Sequence, residues 1–117
     1  MLTVIVDGNN VLIALKILRS DAVEQFLARL EMAAVEKDWE VVVVFDGPER
    51  YLRRETGPLV VRYMKGKTAD SAIERMVFQM PDRSQAVVVT QDRAEGMLVM
   101  GMGGRVWSPR RLAEEIA

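Results

Sequence analysis

The chain has 117 residues, half of them hydrophobic, and a formal net charge of -1, which is enough apolar material for the core of one domain spanning residues 1–117. It contains no cysteine and no histidine, which excludes disulfides, thiolate nucleophiles, imidazole bases and zinc sites built from those ligands. Any chemistry must therefore use carboxylates, hydroxyls, amides, lysine or arginine.

Targeting signals are absent from the sequence as given. No apolar run approaches the roughly 18 residues that a membrane-spanning helix needs, and the amino terminus lacks the basic segment and cleavage pattern of a signal peptide. We therefore expect a cytoplasmic protein with no membrane contact. The oligomeric state stays open between a monomer and a weak homodimer, and the sequence indicates no protein partner.

Three continuous apolar runs have the length of β-strands. They are LTVIV at 2–6, VVVVF at 41–45 and AVVVT at 86–90. Continuous apolar residues are typical of strands covered on both faces, as in a parallel sheet, and four consecutive valines disfavour a helix. A further short strand is predicted within the segment 46–63, together with a loop or a helical turn.

Amphipathic helical patterns separate these strands. The first covers 21–37, where Asp21 and Glu24 are typical of a capping box. The second covers 68–80 and begins with Thr68 as its N-cap.

The carboxyl-terminal third continues the alternation of strand and helix. The pattern at 92–104 predicts a helix with Asp92 and Glu95 as a capping box, and it ends in glycines. A short strand at 105–107 and a helix that begins with Ser108 as N-cap complete the chain. This order of elements predicts an α/β fold with a mainly parallel sheet and right-handed crossovers.

Aspartates follow the three apolar runs within two residues. They are Asp7, Asp46 and Asp92, and ligands in open α/β sheets bind outside the carboxyl ends of the strands. A fourth aspartate, Asp70, lies in the first turn of the second amphipathic helix, with Glu74 one turn later on the same face. These acids are therefore expected to converge on one edge of the sheet.

Such a cluster predicts a divalent cation, because carboxylates held close together resist joint ionisation. Mg²⁺ or Mn²⁺ prefers oxygen ligands and can lower the pKa of a water molecule, which supplies a nucleophile to a chain that lacks histidine. Two such ions roughly 3.5–4 Å apart could stabilise the attacking and leaving oxygens of phosphodiester hydrolysis.

Each aspartate also has a structural interpretation. Asp7 and Asp46 precede glycines in turn-forming sequences, Asp92 suits an N-cap, and Asp70 suits the first turn of a helix. Turn and cap chemistry would accept Asn, Ser or Thr at most of these positions, yet aspartate occupies all four. The coincidence favours a functional site.

Three polar side chains near these acids have two interpretations each. Asn9 and Asn10 can cap the following helix, or they can orient a scissile phosphate and a carboxylate. Thr90 can end its strand, or its hydroxyl can bind a carboxylate or a metal-bound water.

The segment from residue 50 to residue 67 is strongly basic. It carries a local charge of +5, which leaves -6 on the rest of the chain. Basic side chains neutralise the phosphates of nucleic acids without reading sequence, although a solvated loop has the same composition. The candidate RNA-binding residues are Arg50, Arg53, Arg54, Arg62, Lys65 and Lys67.

Four motifs in order carry a family resemblance: VIVDGNNVL, VVVVFDGPE, GKTADSAIE and VVVTQDRAE. They resemble the YacP-like bacterial group within the NYN branch of the PIN-like nucleases, over nearly the whole chain. The resemblance implies a three-layer α/β/α sandwich and a divalent-metal-dependent endoribonuclease that binds RNA. The matching positions are Asp7, Asp70 and Asp92 as core metal-binding acids, Asp46 as an additional acid, Asn10 in the opening motif, and Thr90 before the last acid.

One residue departs from the pattern of this group, because Asn9 stands where its members usually have an aromatic or aliphatic side chain. Two other classes of function remain open. The chain can be a non-catalytic RNA-binding module that retained the fold, or a metal-dependent DNA flap nuclease or phosphatase. A haloacid-type phosphatase is disfavoured because it requires a second aspartate at the position of Asn9.

Overall fold

The computed structural model describes residues 1–49 and 57–117. Within these ranges the chain forms five strands, five α-helices and a 3-10 turn at Arg83–Gln85. The strands are β1 (Thr3–Asp7), β2 (Glu40–Asp46), β3 (Leu59–Met64), β4 (Ala86–Val89) and β5 (Arg105–Trp107). The helices are α1 (Gly8–Ala14), α2 (Ser20–Lys37), α3 (Ala69–Gln79), α4 (Arg93–Gly101) and α5 (Pro109–Glu115).

The five strands form one sheet in the order β3-β2-β1-β4-β5. Every pair of neighbouring strands in the described part of the chain is parallel, which confirms the predicted α/β class. Strands β2 and β3 lie on one side of β1, and strands β4 and β5 lie on the other. The carboxyl end of β1 therefore lies at the point where the strand order reverses, which is where open α/β sheets bind ligands.

Two hydrophobic clusters cover the two faces of the sheet. The larger contains Val4 and Val6 of β1 together with buried residues of α1, α2 and α5. The smaller contains Ile5 of β1 and Val88 of β4, packed against α3 and α4. Successive residues of a strand point to opposite faces, so covering both faces requires the continuous apolar runs seen in the sequence. The arrangement is the expected three-layer α/β/α sandwich.

Two of the predicted helix caps are confirmed. The hydroxyl of Thr68 accepts a hydrogen bond from the backbone N–H of Ser71, and Ser108 accepts one from Arg111. Each satisfies a backbone donor that the first turn of a helix leaves unpaired.

The capping box predicted at the start of α2 is wrong. The helix begins at Ser20, Arg19 occupies the N-cap without a side-chain cap bond, and Asp21 forms an ion pair with Arg19 at 2.7 Å. Asp21 therefore contributes as a first-turn acid whose carboxylate is engaged by a neighbouring arginine.

None of the helices in the described ranges is long and apolar enough to cross a membrane.

The first crossover contains two helices where the sequence pattern indicated one. Helix α1 begins at Gly8, directly after the last residue of β1. The backbone there passes so close to β2 that a Cβ atom on Gly8 would lie 2.5 Å from ring carbons of Phe45 and 2.9 Å from the carbonyl oxygen of Val44. Only glycine permits this approach, and the approach sets the position of α1 against the sheet.

The substitution Gly8→Ala should lower the free energy of unfolding by about 1–3 kcal/mol, the usual cost of overpacking a well-packed site. Gly101→Ala is the matched control, because a Cβ atom there meets no atom within 4 Å and alanine favours helix formation. Urea denaturation of both variants measures the difference. Equal stability of the two variants would contradict the close approach.

Candidate metal centre

Three carboxylates meet at the carboxyl end of β1. Oxygen atoms of Asp7, Asp70 and Glu95 all lie within 4.8 Å of one another. Asp7 ends β1, Asp70 lies in the first turn of α3, and Glu95 lies in the first turn of α4. Three separate elements thus deliver one acid each to the same point, and we call these three residues the acid triad.

Glu95 is the most deeply placed member of the triad. The residue is 2% exposed, and its Oε2 accepts a hydrogen bond from the Thr90 hydroxyl at 3.1 Å. Its Oε1 is buried and has no hydrogen-bond partner among the described residues. Burial, followed by the hydrogen bond and charge of Asp7, raises the pKa of Glu95 to about 9. The carboxyl group therefore retains its proton at neutral pH unless a cation replaces it.

Asp7 is also buried, with 6% of its surface exposed. It occupies the N-cap of α1, but its side chain makes no cap hydrogen bond. Burial is the largest cause that raises its pKa, and the charges of Asp70 and Asp46 act in the same direction, against the hydrogen bond with Glu95. The Asp7 carboxylate is therefore held in the site without serving the helix that follows it.

Thr90 connects the acid triad to the β4–α4 loop. Its hydroxyl oxygen lies 3.1 Å from Oε2 of Glu95 and 3.5 Å from Oδ2 of Asp7, and it accepts a hydrogen bond from the backbone N–H of Asp92. The residue is 4% exposed. Thr90 thus holds Glu95 and the loop that leads to α4, and its hydroxyl lies beside Asp7.

Asn9 and Asn10 hold the two strands that flank β1. Oδ1 of Asn9 accepts a hydrogen bond from the backbone N–H of Asp46, at the end of β2, over 2.8 Å. Oδ1 of Asn10 accepts one from the backbone N–H of Gln91, just after β4, over 2.7 Å. Both asparagines lie in the first turn of α1, so they do not cap this helix. Asn9, the residue that departs from the family pattern, therefore has a defined structural role.

Asp46 extends the chain of hydrogen bonds from Asn9 to α3. Its Oδ1 accepts a hydrogen bond from the backbone N–H of Ala69 over 2.6 Å, and Ala69 is the residue before Asp70. The carboxylate of Asp46 is thus engaged at the start of α3, beside the acid triad. Its charge still contributes to raising the pKa of Asp7.

Asp92 caps α4. Its Oδ1 accepts hydrogen bonds from the backbone N–H groups of Ala94 and Glu95 at 2.9 and 3.1 Å. The N-cap half of the predicted capping box is therefore present. The other half is not, because the side chain of Glu95 points to Asp7 and Thr90 instead of returning to the N-cap.

Sequence reasoning missed Glu95 as a site residue and assigned it to helix capping alone. The available signal was its position in the first turn of a helix that follows a buried strand, because Asp70 likewise lies in the first turn of its helix. Glu74, predicted as an auxiliary acid, is half-buried and lies outside the triad.

The basic candidates fall into two groups. Arg62, Lys65 and Lys67 are exposed in β3 and in the segment between β3 and α3, which leads directly to Asp70. The other three predicted RNA-binding residues, Arg50, Arg53 and Arg54, lie outside the described residues.

Comparisons with known proteins identify the family and the fold of this chain. The family description YacP-like NYN domain matches residues 4–117, and no curated protein matches the chain. The crystal structure of Rae1 (YacP) from Bacillus subtilis has a TM-score of 0.82 at 24% identity, covering 99% of this chain and 74% of that chain. A point mutant of Rae1 gives 0.80 at 26% identity, covering 97% and 73%. Because the family description matches residues 4–117, nearly the whole chain, the chain belongs to the YacP-like NYN domain family, which is of the nuclease type.

Proposed function

We propose that this protein is a divalent-metal-dependent endoribonuclease that hydrolyses RNA phosphodiester bonds at the acid triad. The observation that carries the proposal is the meeting of Asp7, Asp70 and Glu95 within 4.8 Å at the switch point of a parallel sheet. Membership of a nuclease-type family supports the same conclusion, and the choice of RNA over DNA follows from the resemblance to the ribonuclease group.

The chemistry of the triad fits a hard cation. Oε1 of Glu95 is buried and has no hydrogen-bond partner among the described residues, and such an atom is costly unless a proton or a cation satisfies it. Carboxylate oxygens are the ligands that Mg²⁺ and Mn²⁺ prefer. Asp7, Asp70 and Glu95 would hold the ion.

Asp46 and Asp92, which the sequence predicts as ligands, receive a positioning role in this proposal. Each carboxylate accepts backbone N–H groups at the start of a helix, and each helix carries one triad acid in its first turn. Partners that orient metal ligands are a normal part of metal sites, and their loss usually costs 10–100-fold in affinity or activity.

Residues of the chain position the metal ligands and the RNA substrate. Thr90 holds Glu95 in place, Asn10 fixes the loop after β4, and the exposed Arg62, Lys65 and Lys67 attract the phosphate backbone to the edge of the site. A bound Mg²⁺ or Mn²⁺ supplies stabilisation of the charge that develops on the phosphate and lowers the pKa of the attacking water.

Cleavage of a structured RNA in Mn²⁺ tests the proposal. Wild type should cleave the RNA, and EDTA should abolish this cleavage. Asp7→Asn and Asp70→Asn should cleave at least about 100-fold more slowly, because each removes a metal ligand. Parallel assays with single-stranded DNA, flap DNA and p-nitrophenyl phosphate separate RNase activity from DNA nuclease and phosphatase activity.

Asp21→Asn is the matched control for this assay, since Asp21 pairs with Arg19 on the surface, on a helix that packs on the opposite face of the sheet from α3 and α4. It should cleave at the wild-type rate. Undiminished cleavage by both triad variants would refute the assignment, and metal-independent RNA binding without cleavage would identify a binding module.

Without metal, stability should decline between pH 5 and pH 9. Glu95 has an ordinary pKa of 4.5 and a folded-state pKa of about 9, so the folded state keeps a proton that the unfolded state has lost. The resulting stabilisation is complete below pH 4.5, decreases as the pH rises and is exhausted above about pH 9. Thermal denaturation in EDTA across this pH range should show a smaller fall in Tm for Glu95→Gln than for wild type.

Added Mg²⁺ should have the opposite pH dependence, because it competes with the Glu95 proton. The increase in Tm on addition of Mg²⁺ should be larger at pH 8 than at pH 6 for wild type and strongly reduced for Glu95→Gln. Glu36→Gln, an exposed acid on α2, should behave as wild type. A full Mg²⁺ response in Glu95→Gln would exclude Glu95 as a ligand.

Two substitutions of Asp46 separate a positioning role from direct ligation. Asp46→Asn keeps an oxygen that can accept the Ala69 N–H, so its cleavage rate should stay within about threefold of wild type, whereas Asp46→Ala should lose about 10–100-fold. Cleavage rate and Mn²⁺ affinity are both measured. An equal loss in the two variants would assign Asp46 to the metal itself.

A further inference from the structure

A cavity of about 220 Å³ lies between α3 and the end of β3. Its lining comes from the end of β3, the segment after it and one side of α3. The residues that define its character are Arg62, Met64, Lys67, Ser71, Arg75 and Met76.

Three cations surround this cavity. Arg62, Lys67 and Arg75 are all exposed, and within the described ranges no carboxylate forms an ion pair with any of them. Several other cations of the chain are engaged, as Arg19 is with Asp21 and Lys37 is with Glu115. A cavity with unpaired cations around it is suited to an anionic ligand.

The cavity lies at the same edge of the sheet as the acid triad, because Met64 in its lining ends β3 as Asp7 ends β1. It borders a different face of α3 from Asp70. Ser71 and Arg75 follow Asp70 by one and five residues, which turns them about 100° and 140° around the helix at 3.6 residues per turn. An RNA strand bound at the triad would therefore pass along this edge and over the start of α3 to reach Arg75.

The cavity also has an apolar part. Met64 and Met76 contribute side chains to it, and both are partly buried against the smaller hydrophobic cluster. Methionine packs readily against flat rings of varied shape. Cations at the edge and methionines beside them match a nucleotide, which presents a charged phosphate and an apolar base face.

We infer that this cavity is a subsite for single-stranded RNA, in which Arg75 binds a phosphate away from the scissile bond and Met64 and Met76 contact the adjacent base. The inference rests on the proposed ribonuclease function, which it extends by naming where the strand lies. The cavity is too small for a duplex, and the contacts it offers are independent of base identity.

Binding of a 5′-fluorescein-labelled single-stranded RNA of ten nucleotides tests the subsite. The full chain carrying Asp7→Asn serves as the parent, so that binding is measured without cleavage, by fluorescence anisotropy in Mg²⁺ at several salt concentrations. Arg75→Ala should weaken binding about fivefold to tenfold, the loss of one charge-assisted contact, and should reduce the slope of log K against log salt by about 0.7.

Arg29→Ala is the matched control, because Arg29 is an exposed arginine on α2, in the layer on the opposite face of the sheet. It should bind as the parent does, and thermal denaturation should show that both variants fold. Equal affinities of Arg75→Ala and Arg29→Ala would overturn the inference.

Cleavage assays with Asp7 intact distinguish this result from a failure of the proposed function. Cleavage by wild type together with unchanged binding and cleavage by Arg75→Ala refutes the subsite and leaves the ribonuclease in place. Arg75-dependent RNA binding without cleavage by wild type supports the subsite and refutes the ribonuclease. Absence of RNA binding by the parent together with absence of cleavage by wild type refutes both.

Discussion

The crowding of three carboxyl groups at the carboxyl end of β1 is the constraint on which the site depends. Burial and the charges of neighbouring acids raise the pKa values of Asp7 and Glu95, so the folded chain retains a proton where an isolated carboxyl group would lose it. This arrangement costs stability at neutral pH, and in the proposed function a divalent cation would relieve the cost by replacing the proton and satisfying Oε1 of Glu95. Metal binding, as proposed, would therefore be linked to proton release and to stability at one point of the fold.

The four residues Asp7 to Asn10 organise the elements around that point. Gly8 lets α1 begin against β2 without a gap, Asn9 holds the end of β2, and Asn10 holds the loop after β4. The neighbours of β1 are thus fixed by side chains from the same turn of helix that follows the first acid. Through Asp46, the bond made by Asn9 continues to the start of α3 and the backbone beside Asp70. A single strand-to-helix junction therefore positions acids that are distant in sequence.

The acids near the site divide into two kinds according to what their oxygens contact. Asp46 and Asp92 accept backbone N–H groups at helix starts, whereas the triad acids face one another. Both kinds look alike in sequence, because an aspartate after a strand suits a cap as well as a metal. The sequence led to Asp7 and Asp70 by this argument, but it assigned Glu95 to a capping box. Only the direction of the Glu95 side chain, which accepts a hydrogen bond from Thr90 and lies beside Asp7 of β1, separates the two roles.

The amino-acid sequence by itself determined the α/β class, the parallel sheet and the edge on which the acids gather, because continuous apolar runs need cover on both faces and each run ends in an acid. It also determined the caps at Thr68 and Ser108, since these depend on bonds within one turn of helix. The tertiary structure alone decided the membership of the acid triad, the roles of Asn9 and Asn10 and the cavity beside α3. These depend on contacts between elements far apart in the chain, where side-chain direction and burial are fixed by packing and not by local pattern.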